Sequence, residues 1–200
     1  MSYDLIFLLE EASMENVLEK ILPKIIPDEI SFLCIAHQGK QDLAKSIPTK
    51  IKAFKFSPDT KFIIVHDQDS HDCKILKSEL LQICQKAGQT NVMIRIICHE
   101  LESWFLGDLA AVETAYNLKP NTLGEQQNSK KYRDPDRLNS AKQELGNLVG
   151  EYYAGTHSKA IAPHLSLTEN KSRSFKVFIQ SIYQLVESID TLRSRTHATS

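Results

Sequence analysis

The sequence predicts an α/β protein with an open, mostly parallel sheet of about four strands, flanked by helices and followed by a C-terminal helical extension. Two observations support this fold class. Short apolar runs rich in β-branched residues alternate with longer segments whose apolar residues recur at helical spacing. Acidic residues directly follow three of the short runs. This placement is typical of open α/β sheets, which form their sites at the carboxyl ends of parallel strands.

The first strand is predicted at residues 3–9, an apolar run that ends at Glu10 and Glu11. A helix is predicted to begin at Ser13, because apolar residues recur after it every three or four positions. Pro23 lies inside this pattern and is expected to kink or shorten the helix, since proline lacks a backbone amide proton. Glu10 therefore stands at the carboxyl end of a strand, just before a helix.

The second strand is predicted at residues 30–36, and a turn that contains Gly39 and Lys40 follows it. Residues 42–54 have the pattern of a helix, which Pro48 is expected to interrupt. This segment therefore repeats the strand–helix order of the first.

The third strand is predicted at residues 62–65, and an acidic loop with Asp67, Asp69 and Asp72 follows it. Asp67 and Asp69 are two positions apart, so their side chains point the same way if the segment is extended. Two like charges held that close repel, unless a cation lies between them or one takes up a proton. Oxygen ligands suit Mg²⁺ or Mn²⁺. We interpret this pair as half of a metal site, whereas Asp72 more simply caps the helix predicted at residues 74–87.

The fourth strand, at residues 92–97, leads into a segment with Glu100 and Glu102. Parallel strands with right-handed crossovers bring their carboxyl ends to one edge of the sheet. We therefore predict a shared acidic cation site formed by Glu10, the aspartate pair, and Glu100 or Glu102. The sequence leaves the choice between these two glutamates open, because their side chains align in an extended segment and diverge in a helix.

The chain changes character near its middle, and we predict an α/β core at residues 1–116, followed at residues 117–200 by a basic loop and C-terminal helices that pack on the core. The loop, at residues 117–137, is longer than most loops in compact domains, which favours a functional or mobile segment. Two amphipathic helices are predicted after it, at residues 138–149 and 172–189.

The loop contains a basic cluster of Lys130, Lys131 and Arg133 around Tyr132. Such a cluster can bind a phosphate backbone and stack a base, although a solvated loop is the simpler alternative. The 24 basic and 25 acidic residues nearly balance, so the net charge does not indicate nucleic acid and does not exclude a local patch.

The four cysteines lie in or beside apolar runs without a Cys-x-x-Cys pair, which favours reduced thiols in a cytoplasmic protein over a zinc site or a disulfide framework. No apolar stretch approaches the length of a membrane span, so no membrane partner is expected. An acid stands near the N-terminus, where a signal peptide has a base.

These motifs resemble a known family. Over residues 5–178 the sequence is similar to the bacterial proteins catalogued as domain of unknown function 4276, which we place among Toprim-like domains. Four segments match the family's Glu before a helix start, its Gly-Lys-x-x-Leu, its Asp-x-Asp and its Glu-x-Glu-Ala-Trp patterns: 9–15, 39–43, 65–69 and 100–108. Glu11 stands where Toprim proteins usually have glycine, which leaves open whether Glu10 or Glu11 faces the site.

The resemblance implies Mg²⁺-dependent phosphodiester hydrolysis, with the metal on Asp67 and Asp69 and with Glu10 as a ligand or general acid–base. Nucleic acid is then the expected partner, and the candidate residues that contact it are Lys40, Lys130, Lys131 and Arg133. In nuclease members of the wider group, a Toprim domain often works with an ATPase in defence against phage. The chain lacks a Gly-x-x-x-x-Gly-Lys-[Ser/Thr] motif, so such an ATPase would be a separate subunit.

Two other functions fit the same residues. A Toprim-like fold can serve as a non-catalytic subunit that binds nucleic acid or a partner protein. The apolar strand with Asp-x-Asp also superficially fits a haloacid-dehalogenase-like phosphatase, in which Asp67 would be the nucleophile and Asp69 the general acid. That class usually carries its motif on the first strand, and the sequence shows no convincing later lysine and paired-aspartate motif.

Overall fold

Four parallel strands form a single sheet in the computed structural model, which describes residues 3–54 and 59–198. The strands are β1 (Leu5–Leu9), β2 (Phe32–Ala36), β3 (Lys61–Asp67) and β4 (Val92–Ile97). Their order in the sheet is β2-β1-β3-β4, and each neighbouring pair is parallel. The predicted fold class, including the C-terminal helices, is confirmed.

Eight helices accompany the sheet in the described part of the chain. They are α1 (Ala12–Ile21), α2 (Lys40–Phe54), α3 (Cys73–Lys86), α4 (Glu102–Leu106), α5 (Leu109–Ala115), α6 (Ala141–Val149), α7 (Ala154–Ile161) and α8 (Arg173–Ala198). Short 3-10 turns occur at Leu22–Lys24, Gly124–Asn128, Pro135–Arg137 and Ala162–His164. None of the described helices is long and apolar enough to cross a membrane.

Helices cover both faces of the sheet, and this explains why β1 is buried along its whole length. Its alternate residues belong to two hydrophobic clusters. Leu5, Phe7 and Leu9 join the cluster with α1 and α4–α8, whereas Ile6 and Leu8 join the cluster with α2 and α3. The C-terminal helices therefore share a core with the sheet.

Trp104 of α4 connects this core to the C-terminal helix. Its ring packs against Phe175 and Phe178 of α8, with centroids 5.1 and 5.2 Å away, and its Nε1 donates a hydrogen bond to Ser174. Because α4 begins at Glu102, this packing fixes the position of that glutamate's helix close to the end of β4.

The two prolines behave differently. α1 ends at Ile21 and continues as a 3-10 turn through Pro23, as the proline predicts. α2 continues through Pro48 to Phe54, so the expected interruption there is wrong. Its buried stripe of Leu43, Ile47 and Ile51 packs under the sheet and outweighs the one amide bond that proline removes.

Several other boundaries differ from the prediction. The short helices α4, α5 and α7 were not expected, since each has fewer than two full hydrophobic repeats. The predicted loop at residues 117–137 contains two short 3-10 turns but neither an α-helix nor a strand. α8 extends to Ala198, beyond the predicted end at residue 189.

Candidate metal centre

The central strands bring Glu10 and Asp67 together at the carboxyl edge of the sheet. β1 and β3 are adjacent, with Leu9 beside Val65, so the residues that follow them meet. The Asp67 backbone amide donates a hydrogen bond of 3.0 Å to Glu10 Oε2. The prediction that these two acids lie at one edge therefore agrees with the observed topology.

Asp67 is a buried carboxylate among other acids. Its residue surface is 9% exposed, and its Oδ1 has no hydrogen-bond partner among the described residues. Burial and the negative charges of Glu10, Glu102 and Glu11 raise the pKa of Asp67 well above its ordinary value, although the Leu101 backbone amide opposes the shift. A cation at this position would relieve the repulsion.

Glu10 is held ionised by a histidine that the sequence did not single out. His66 Nδ1 lies 3.0 Å from Glu10 Oε2 and also contacts the Asp67 carbonyl at 2.5 Å. Burial opposes ionisation of both groups, but their mutual hydrogen bond and charge prevail. The pKa of Glu10 is consequently lowered and that of His66 is raised. His66 sits in a buried apolar strand, where no sequence pattern marks it as functional.

Glu11 does not disturb the turn after β1. Its φ of −148° and ψ of 166° are extended values that any residue adopts, so glycine is not required there. Its side chain accepts a hydrogen bond from Ser13, and its charge contributes to the raised pKa of Asp67. Glu10 therefore makes the direct contact with Asp67, and Glu11 adds a second negative charge nearby.

The two candidate glutamates after β4 have different surroundings. Glu102 is only 3% exposed, at the start of α4, and burial raises its pKa. Its charge reaches Asp67. Glu100 is half-buried, and its Oε2 accepts a hydrogen bond of 2.9 Å from the backbone amide of Lys142 in α6. Of the two, Glu102 belongs to the cluster around Asp67, because α4 begins at that residue and the side chains diverge.

The side chain of Asp69 has different surroundings from that of Asp67. The segment is not extended through both aspartates, so the condition for parallel side chains is not met: β3 ends at Asp67, and Asp69 has a φ of +50°. Asp69 Oδ2 lies 3.3 Å from Lys40 Nζ, and both side chains are exposed. The Asp69 amide donates to the His99 carbonyl at 2.8 Å, which ties the bend to the end of β4.

An open cleft lies beside the buried acids. Its volume is about 490 Å³, and it is lined by Asp69, Ser70, His99, Glu100 and Asn139. The acids thus form two groups. Glu10, Asp67 and Glu102, with Glu11 beside them, make a buried cluster, whereas Asp69 and Glu100 line the cleft and already contact Lys40 and Lys142.

The fit of these residues to a metal is partial. Across residues 3–54 and 59–198, no three His, Cys, Asp or Glu side chains are arranged to hold a metal ion. The buried cluster nevertheless suits a hard cation in its oxygen donors, its excess negative charge and the unpartnered Asp67 Oδ1. Asp69 Oδ2 is already paired with Lys40, so a cation bound by that oxygen would compete with the lysine.

The predicted basic cluster is only partly open to solvent. Tyr132 is 5% exposed and its hydroxyl donates to Glu144, so its ring is not accessible to a base. Lys131 forms an ion pair of 2.6 Å with Glu144 and lies over the Tyr132 ring. Lys130 and Arg133 are exposed.

Solved structures share this fold. The C-terminal region of the Burkholderia pseudomallei OLD protein matches with a TM-score of 0.56 and 13% identity, over 93% of this chain and 100% of that chain. A C-terminal region of the Xanthomonas campestris pv. campestris OLD protein matches with a TM-score of 0.57 and 15% identity, over 98% and 97%. Identities this low show a shared fold alone. No curated protein matches the chain.

A family model described as domain of unknown function (DUF4276) matches residues 9–183. The matched range includes β2–β4, the buried acids and the first part of α8. The resemblance that the sequence motifs indicated is therefore confirmed, and the chain belongs to the domain of unknown function 4276 family.

Proposed function

We propose that this protein hydrolyses phosphodiester bonds in nucleic acid with Mg²⁺ or Mn²⁺ bound at the carboxyl edge of its sheet. The observation that carries the proposal is the buried Asp67 carboxylate, which has an unpartnered oxygen and three acidic neighbours. Repulsion between these acids disfavours ionisation of the Asp67 carboxyl group unless a cation is present. The fold shared with OLD C-terminal regions supports the same reading of the site.

Asp67, Glu10 and Glu102 would hold the metal, and Asp69 and Glu100 would complete the site from the cleft. A bound divalent cation supplies charge neutralisation for the phosphate and activation of water. His66 keeps Glu10 ionised and fixes its orientation through the 3.0 Å contact. Glu10, Asp67 and Asp69 are the proposed catalytic residues.

Basic side chains near the cleft would bind the nucleic-acid backbone. Lys40 faces the cleft through its ion pair with Asp69, and a substrate phosphate would compete with that aspartate for it. Lys130, Lys131 and Arg133 lie on the loop that packs on α6, the helix whose first turn contacts Glu100. These contacts would position the strand without reading its sequence.

A separate ATPase subunit and a role in phage defence complete the proposal. The OLD structures compared above are C-terminal regions, so the likeness concerns those regions alone. We expect the ATPase subunit to co-purify with this protein when the two are expressed together from their native locus. Recovery of this protein alone would remove the partner from the proposal.

A non-catalytic binding role is the second candidate. The ion pair between Asp69 and Lys40, and the lack of a preformed three-ligand arrangement in the described residues, favour it. The phosphatase alternative has less support, because a buried Asp67 with a raised pKa is a poor nucleophile.

The deciding experiment is a cleavage assay on single-stranded and duplex DNA and RNA, with Mg²⁺, with Mn²⁺ and with a chelator. We expect cleavage that requires the metal and disappears in Asp67→Asn. Asp72→Asn is the matched control, since Asp72 lies in the same loop but only caps α3. Metal-independent cleavage, or full activity in Asp67→Asn, would refute the proposal, and metal-independent binding without cleavage would establish the second candidate.

A further inference from the structure

A stack of aromatic rings leads from the buried acids to the protein surface. The His157 ring lies 5.7 Å from Tyr153 at 25°, 5.8 Å from Tyr152 at 30° and 5.0 Å from Tyr116 at 37°. The Tyr152 and Tyr153 rings are close enough to parallel with the His157 ring for offset stacking, whereas the Tyr116 ring is tilted. The outermost ring, Tyr153, is 63% exposed, so one aromatic face is open to solvent.

The inner end of this stack borders the candidate metal centre. The Tyr152 ring packs against Phe105 of α4, the helix that begins at Glu102, with ring centroids 6.4 Å apart. Burial, and then the charges of Glu102 and Glu11, raise the pKa of the Tyr152 hydroxyl. Two ring steps of 5.8 and 5.7 Å therefore separate the Tyr153 ring from a side chain that adjoins the site. A strand bound at the metal would pass Tyr153 within a few nucleotides.

The stack is also held at a fixed distance from the site. α7 begins just after Tyr153 and packs along α1, which begins just after Glu11. Asn16 of α1 donates through Nδ2 to the Gly155 carbonyl at 2.8 Å. The segment with Glu10 and Glu11 and the segment with Tyr152 and Tyr153 therefore lead into two helices that pack on each other.

A purely structural role accounts for the rings of Tyr116, Tyr152 and His157. It does not explain the exposed ring of Tyr153. The Tyr153 backbone amide donates to His157 Nδ1 at 2.8 Å, and this bond forms whatever side chain residue 153 carries. Tyr116 donates to the Glu151 carbonyl at 3.0 Å, which fixes its own position. The Tyr153 ring adds little burial, so an exposed aromatic is not needed for folding.

We propose that Tyr153, backed by His157, stacks an unpaired nucleobase of a single-stranded nucleic acid whose backbone enters the metal centre. This inference rests on the proposed function and names its substrate class. A flat aromatic face binds any base, because every base has a π-face. Glu151, an exposed acidic residue two positions before Tyr153, favours an uncharged base over a phosphate at this position.

The test measures binding of two fluorescent phosphorothioate strands of equal length in Mg²⁺, one oligothymidylate and one abasic. We expect Tyr153→Ala to weaken oligothymidylate binding about tenfold, as loss of one stacked base does, and to leave the abasic strand unchanged. Tyr153→Trp should retain wild-type affinity. Tyr183→Ala is the matched control, since Tyr183 is an exposed tyrosine of α8, at 44%. The melting temperature of Tyr153→Ala should remain that of the wild type.

Three results would overturn the inference: wild-type protein that does not prefer the strand with bases, Tyr153→Ala that binds it as wild type does, or equal weakening of both strands. Its failure is separable from failure of the proposed function. Metal-dependent cleavage by the wild type, with unaltered oligothymidylate binding by Tyr153→Ala, would refute base stacking on Tyr153 and leave the nuclease function in place. Base-dependent binding that needs Tyr153, without any cleavage, would support base stacking on Tyr153 and refute the nuclease function.

Discussion

Two groups of acids lie side by side at the carboxyl edge of the sheet, and they differ in what surrounds them. Glu10, Asp67 and Glu102 are largely buried, and one oxygen of Asp67 has no partner. Asp69 and Glu100 line an open cleft and contact Lys40 and the Lys142 amide. In the cleft each charge is already compensated, whereas in the buried cluster negative charge is in excess. That excess, rather than the number of acids, marks the place where a cation is needed.

The largest effect on stability is expected from Glu10→Gln, which breaks the ion pair with His66. Removing one partner of a buried pair leaves the other buried and unpaired, at a cost of about 3 kcal/mol. Chemical denaturation of the metal-free protein measures this loss. Glu19→Gln, at an exposed position of the following helix α1, is the control and should change little. If both variants unfold alike, the buried cluster does not depend on this pair.

The same variant predicts a pH dependence. The pKa of Glu10 is lowered by folding. The contribution of this carboxylate to the free energy of unfolding is therefore present above the ordinary pKa of 4.5 and is lost as pH falls through the lowered pKa. The pKa of His66 is raised by folding. The contribution of this imidazolium to the free energy of unfolding is therefore complete below the ordinary pKa of 6.5 and is lost as pH rises through the raised pKa. The difference in unfolding free energy between wild type and Glu10→Gln should therefore peak between these limits and shrink on either side. A pH-independent difference would contradict the ion pair.

A smaller effect, of opposite sign, is expected from Asp67→Asn. This change removes a buried negative charge from among three acids, so the metal-free protein should become more stable, by about 1 kcal/mol. Thermal melting with a chelator checks the direction. A loss of stability in Asp67→Asn would show that Asp67 has a structural role. The buried acids would then not differ from the cleft acids in having an excess of negative charge.

The smallest effect is expected in the cleft, from Asp69→Asn. Its ion pair with Lys40 is exposed, and such pairs contribute about 0–1 kcal/mol. Denaturation of Asp69→Asn and of Lys40→Met should give nearly wild-type stability, and salt should weaken what difference remains. A loss comparable to that of Glu10→Gln would mean that the two groups of acids are not distinct.

The sequence predicts the meeting of Glu10 and Asp67 well, because strand–helix alternation determines which strand ends share an edge. It does not predict the bend at Asp69, since a left-handed backbone at a non-glycine residue leaves no clear sequence signal. His66 was missed for a different reason. It occupies a buried strand position, where alternation does not reveal which polar residue has found a partner.

The choice between Glu100 and Glu102 depended on where α4 begins, and the structure starts the helix at Glu102. Helix boundaries are the least certain part of a sequence-based assignment. The aromatic stack was equally inaccessible, because it joins residues from α5, α7 and the segment before α7 through packing alone. Residues that meet only through tertiary contacts carry no shared local pattern.

The most direct test of the central claim, that the buried cluster is the metal centre, is calorimetric titration with Mg²⁺ and Mn²⁺. Wild type should be compared with Asp67→Asn, with Asp67→Asn/Asp69→Asn, and with Asp72→Asn as the control from the same loop. We predict that binding disappears in both variants that lack the Asp67 carboxylate and persists in Asp72→Asn. Binding to Asp67→Asn with wild-type affinity would contradict the account and would make the buried acids structural.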